Sequence, residues 1–179
     1  MGAKLMDASR SLLVLVDYQA RLMPAIADGD RIVAAGRRLV QAARLFGVGM
    51  IVTEQYAKGL GATVEALGAA GVPVVAKNTF GACATPAFVG AIGEDKDLIV
   101  AGCEAQVCLL QTVLGLRERG RRVFVVRDAT GSRHMEDKEA ALARMAQHGA
   151  EIVTSEMVVF EWARTSEHPK FRQAIAIVK

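Results

Sequence analysis

With 179 residues, 52% of them hydrophobic and 23% charged, the chain has the length of one ordinary domain that buries roughly 70% of its unfolded surface without a disulfide or structural metal. A formal charge of +3, with lysines and arginines scattered among acids and no aromatic platform beside the densest cluster, "RERGRR", argues against nucleic acid as a partner. The apolar runs are too short to span a bilayer, "MGAKLM" has neither the regions of a secretory signal nor the Ser or Thr of a myristoylation site at Met6, and three cysteines argue for reduced thiols, so no membrane contact and a cytoplasmic location are expected.

In chain order, β-branched runs are predicted as strands at 11–17 ("SLLVLVD"), 49–54 ("GMIVTE"), 73–77 ("PVVAK"), 97–102 ("DLIVAG"), 122–128 ("RVFVVRD") and 150–155 ("AEIVTS"). Between them "DRIVAAGRRLVQAARLFG", "TPAFVGAIG", "EAQVCLLQTVLGLRERG" and "EDKEAALARMAQHG" carry apolar residues three and four apart, which is the helical period. Gly47, Gly120 and Gly149 fall where helices should end, Thr85-Pro86 reads as an N-cap followed by Pro at the first helical position, and Ser155 as a cap for the last part of the chain. Six strands alternating with helices predict an α/β fold with a mainly parallel sheet covered on both faces. No repeat, linker or low-complexity tract divides the chain, so residues 1–179 are expected to form a single domain.

In such a sheet the ligand site forms at the carboxyl ends of the strands, near the point where strand order reverses. The polar residues there are Asp17, Thr53 and Glu54, Lys77, the turn from Gly102 to Cys108, and Asp128. Cys108 is predicted about one turn into a helix, where unpaired N–H groups and the helix dipole favour a thiolate. The alternative is a small apolar filler, and local spacing alone favours that buried role. Lys77 alone reads as a solvated strand end and Asp17 alone as a turn cap; together with Cys108 they make an acid, base and nucleophile set. Cys103 and Cys108 lack CxxC spacing and His134, His148 and His168 are isolated, so no metal site is expected. "VDYQARLMPAIADG" has no GxGxxG, which argues against dinucleotide binding.

"LVDYQ", "KNTFGA" and "AGCEAQVCLLQT" resemble, in order, the three signature segments of the isochorismatase-like cysteine hydrolases. "TEQYAKGLGATVEALG", "DATGSR" and "ALARMAQHGAEIVTSE" are similar to segments of one branch, the isochorismatase domain-containing proteins of unsettled substrate, and the likeness runs from about Leu12 to about Phe171. The resemblance implies a three-layer αβα, Rossmann-like fold, a homo-oligomer, a small-molecule substrate and no cofactor. It implies Cys108 as nucleophile, Asp17 as its base and Lys77 as the cation beside both. It also implies a cis peptide at Cys103–Glu104 that aims the N–H groups of Glu104 and Cys108 at one point as an oxyanion hole. Gln19, Gln55, Tyr56 and Phe80 follow strands one to three and are pocket candidates; Tyr56 and Phe80 fit equally well as cover for the sheet edge or a subunit contact. Glu104 is a candidate for holding its own turn, and Arg133 for pairing with an acid.

Departures from the family pattern bear on substrate. The metal-binding histidines of its nicotinamidases are absent from "TEQYAKGLG", Leu22 stands where an aromatic is frequent, and Glu104 stands where Thr is usual. The expected activity is hydrolysis of a small amide or other C–N bond through a thioester. The alternatives are isochorismatase-type vinyl-ether hydrolysis with Asp17 as the acid, and a non-catalytic oligomeric interaction protein.

Overall fold

The computed structural model describes residues 5–179, so residues 1–4, on which the expectations about export and acylation partly rest, lie outside it. Six strands form one sheet: β1 Ser11–Val16, β2 Gly49–Gln55, β3 Val74–Lys77, β4 Asp97–Cys103, β5 Val123–Gly131 and β6 Glu151–Val153. Their order is β3-β2-β1-β4-β5-β6 and every pairing is parallel. The helices are α1 Gly29–Phe46, α2 Ala57–Leu60, α3 Pro86–Ala91, α4 Leu110–Glu118, α5 Met135–Gln147, α6 Ser155–Ala163 and α7 Phe171–Val178, with a π-helical turn at Ala105–Leu109 leading into α4.

Strand alternation produces the three layers. All six residues of β1 are buried. Leu13 and Leu15 join a core with Leu39, Val158 and Trp162 from α1 and α6, while Leu12, Val14 and Val16 join another with Phe88, Val113 and Leu142 from α3, α4 and α5. Burying one such side chain contributes about 1.5–3 kcal/mol before entropy is subtracted. On α1 the buried residues Ile32, Ala35, Leu39, Val40 and Ala43 recur at three- and four-residue spacing, and the helix stops at Gly47, whose φ of 73° releases the chain toward β2.

Order reverses between β1 and β4, which places the ends of these two central strands on either side of a crevice. Val16 pairs with both Thr53 and Gly102, and Gln55 pairs with Lys77, so all the predicted strand ends of this half lie at one level. At Gly102 there is no room for a side chain: a Cβ there would sit 2.4 Å from the Val16 carbonyl oxygen.

Three local expectations are corrected. β5 does not stop at 128; its register against β4 jumps between Val100 and Gly102, and the strand resumes at Thr130 and Gly131. Asp128 therefore leaves the site and accepts from the Ser155 N–H at 2.8 Å and hydroxyl at 2.5 Å. Second, Ser155 is not a cap: Thr154 is the N-cap of α6 and accepts from the Met157 N–H at 3.3 Å. Third, α7 was not expected, and its Ala174, Ile177 and Val178 pack on the α1 side.

Candidate active site

Asp17 is the first residue past β1. It holds a left-handed φ of 55° and is fully buried. The left-handed kink turns its carboxylate across the sheet end toward β2 and β3. There Oδ1 accepts from the Thr53 hydroxyl at 2.6 Å and Oδ2 from Lys77 Nζ at 2.7 Å. Lys77 is the last residue of β3, and neither partner's side chain is exposed. Its ammonium also donates to Gln55 Oε1 at 2.8 Å and the Thr79 carbonyl at 3.4 Å. A buried lysine is tolerated only with such partners, because each charge would otherwise be stripped of water without return.

Cys108 reaches this pair from β4. Glu104, the first residue past β4, turns the chain with φ 54°. Its carbonyl accepts from the N–H groups of Val107 at 2.9 Å and Leu109 at 3.4 Å, the wide turn of a π-helix. Thr112 fixes that turn: its hydroxyl donates to the Cys108 carbonyl at 2.7 Å and accepts from the Ala82 N–H at 3.0 Å, tying the loop after β3 to the helix. Cys108 Sγ then lies 4.0 Å from Gln55 Oε1. Burial and then the Asp17 carboxylate push the thiol up to about 12, against the pull of Lys77. This corrects the expected resting thiolate. The helix-start effect is outweighed because the anion would be buried beside a carboxylate that already uses the lysine's charge.

The Cys103–Glu104 peptide, expected to be cis, is trans like every peptide among the described residues; the chain turns through the left-handed Glu104 instead. Glu104 Oε1 accepts from Arg133 Nε at 2.9 Å and Oε2 from Gln106 Nε2 at 2.7 Å, while Gln106 Oε1 accepts from Ser132 Oγ at 2.8 Å. The acid thus holds its own turn, with Arg133 as its partner. Cys103 Sγ contacts Met23 Sδ at 3.3 Å in the core.

The pocket candidates separate. Gln55 belongs to the Lys77 network. Gln19 is fully buried, with its amide donating to the carbonyls of Gln55 at 3.0 Å and Gly61 at 2.7 Å and its Oε1 accepting from the Gln55 N–H at 2.8 Å, so it buttresses β2. Tyr56 and Phe80 are 58% and 53% exposed just past β2 and β3. Two structural residues went unread. Tyr18 donates its hydroxyl to the Ala129 carbonyl, joining the end of β1 to the β5 bulge. Thr112 was legible only as a hydroxyl four residues after Cys108, the spacing for a bond back to that carbonyl. Among the described residues no cluster of three or more His, Cys, Asp or Glu side chains could hold a metal ion, and no helix is long and apolar enough to cross a membrane.

A six-stranded parallel sheet covered on both faces, with an acid, an amine and a thiol converging at its central carboxyl ends, defines an α/β three-layer protein with an enzyme-like site. The isochorismatase domain matches residues 11–157, and the chain is 39% identical over 176 residues to isochorismatase domain-containing protein 2A of Mus musculus, covering 94% of this chain and 82% of that protein. It belongs to the isochorismatase family of hydrolases. Among solved structures, the MAR1 ribonuclease of Caenorhabditis elegans superposes with a TM-score of 0.93 at 36% identity, over 98% of this chain and 92% of that one. YcaC of Escherichia coli, described as an octameric hydrolase of unknown specificity, has a TM-score of 0.86 at 29% identity over 99% and 89%. YcaC of Pseudomonas aeruginosa, solved with hexane-2,5-diol and covalent acrylamide, gives 0.90 at 29% over 99% and 93%.

Proposed function

We propose that this chain is a single-domain cysteine hydrolase of small amides or related C–N bonds that works with its own side chains. The observation that carries the reading is the buried Lys77–Asp17 pair at 2.7 Å, beside a Cys108 thiol whose pKa is raised by burial and then by that carboxylate. As Cys108 Sγ attacks the carbonyl carbon, Asp17 takes the thiol proton, so the anion exists only as it forms a bond. The carbonyl oxygen becomes an oxyanion facing the N–H groups of Glu104 and Cys108, at a helix start where such groups lack acceptors one turn back. Asp17 passes the proton to the leaving amine. Water then attacks the thioester with Asp17 as base, releasing the acid and restoring the thiol. Lys77 keeps the carboxylate placed throughout, and Gln55 holds Lys77. Tyr56 and Phe80, large and exposed beside the site, are assigned to the substrate mouth or to the contact of a homo-oligomer; the octameric YcaC relative supports assembly.

Acrylamide is the probe, because one relative carries it covalently. Wild-type protein should take up one acrylamide at Cys108, and Cys108→Ala should lose it with its circular dichroism unchanged. Equal labelling of the variant at Cys83 or Cys103 sinks the assignment. A screen over small amides, with Cys108→Ala as the blank, then identifies the substrate. Short RNA is included because the worm relative is described as a ribonuclease, and cleavage of RNA alone would overturn the amide reading.

A second reading is vinyl-ether hydrolysis with Asp17 as the acid, a chemistry in which Cys108 is dispensable. Turnover that survives Cys108→Ala and disappears in Asp17→Asn would favour it.

A further inference from the structure

Lys138 lies on α5 outside the site described above and is 9% exposed. Its Nζ has neither a hydrogen bond nor an ion pair among the described residues. The aliphatic stem is therefore the buried part, and the ammonium without a protein partner meets solvent at the cavity wall. Burial and then Arg127 hold the amine below its ordinary range, against Glu139, Asp128 and Asp28.

Lys138 lines a cavity of about 340 Å³ between α1, the β5 bulge and α5, which shares no lining residue with Asp17, Lys77, Gln55 or Cys108. Two further cations, Arg31 and Arg38, and two acids, Asp28 and Asp128, complete its polar wall. Arg38 and Asp128 already serve each other at 3.7 Å, Arg38 also donates to Ser155 Oγ at 2.8 Å, and Asp128 accepts twice from Ser155. That leaves Arg31 and Lys138 against the single carboxylate of Asp28, a surplus of one positive charge. The remaining wall is apolar, with Ile32, Ala35 and Met135.

One unbalanced cation over an apolar floor suits a monoanion that has an apolar part, more than inorganic phosphate, which carries between one and two charges near neutral pH and has no carbon. We propose that this cavity binds a small aliphatic carboxylate, its oxygens on Lys138 Nζ and the Arg31 guanidinium and its chain against Ile32, Ala35 and Met135. The binding is independent of the reaction assigned to Cys108.

The test is calorimetric titration of the full chain with sodium butanoate and, in parallel, inorganic phosphate. Butanoate should bind saturably at one site, and Lys138→Met should weaken it by about tenfold or more, the scale of one charge-assisted hydrogen bond. That substitution keeps the buried aliphatic stem and removes only the ammonium, so the fold should persist by circular dichroism, while Arg31→Gln tests the same site from its exposed rim. Absence of saturable butanoate binding, or binding unchanged in both variants, overturns the proposal. Phosphate binding as tight as butanoate overturns the choice of a carboxylate.

Discussion

Lys77 Nζ and Asp17 Oδ2 stand 2.7 Å apart with both side chains sealed from solvent, at the ends of two strands that do not touch each other. β2 lies between them and supplies Thr53 and Gln55, one for each partner. Removing one member leaves the other charge buried without its counterion. Lys77→Met should therefore cost about 3–5 kcal/mol of stability by urea unfolding. A loss below about 1 kcal/mol would mean that the pair is solvated and worth no more than a surface bridge.

Asp17→Asn separates thiol acidity from turnover. The carboxylate is the main charge that raises the Cys108 thiol, and Lys77 would remain to lower it. The variant should alkylate faster than wild type with iodoacetamide at about pH 8, because its thiolate fraction is larger. It should nevertheless lose amide turnover, having no base to return protons. Slower alkylation in the variant would contradict the electrostatic account.

The same thiol links stability to alkaline pH. Folding raises its pKa from an ordinary 9.0 to about 12, so the native state binds this proton more tightly than the unfolded chain does. That contribution is complete below the ordinary value and is lost as pH climbs from there through about 12. Wild-type stability should fall over that window, and Cys108→Ala should flatten part of the decline, measured by thermal unfolding across the range. Equal slopes for the two proteins would remove Cys108 as a contributor.

Gly102→Ala should be among the most damaging single-methyl additions in the chain. Its Cβ would press on the Val16 carbonyl at 2.4 Å, and neither strand can move because both are buried in the sheet centre. Overpacking of this kind costs about 1–3 kcal/mol or more. Stability by denaturant titration should fall accordingly, and the acrylamide reaction at Cys108 should slow, since β1 and β4 carry Asp17 and the nucleophile turn.

The sheet was legible because its strands announce themselves by β-branched runs and its helices by a 3.6-residue period; Leu13 and Leu15 facing one way and Val14 and Val16 the other need no tertiary information. Asp17, Lys77 and Cys108 could be picked as strand-end residues for the same reason, and their grouping rests on the observed strand order. Features that periodicity does not encode stayed hidden. The β5 bulge moves Asp128 from the site to α6, and nothing in "RDATGSR" marks a register jump. Gln19 looked like a pocket wall because it follows a strand, yet the Gln55 and Gly61 backbone absorbs its amide. The acidity of Cys108 was misjudged because position on a helix is local, whereas burial and the Asp17 charge come from residues far away in sequence.

The π-helical turn at Ala105–Leu109 gives the site an arithmetic character. Each residue added to or removed from an α-helix rotates the rest of that helix by about 100°. The Glu104–Leu110 segment therefore sets the bearing of Cys108 by the number of its residues as much as by their identity. Sequences that differ here by one insertion or deletion are different sites, even if every signature letter is kept. Length across this turn is accordingly a sharper criterion than overall identity for deciding which related chains can share this one's chemistry.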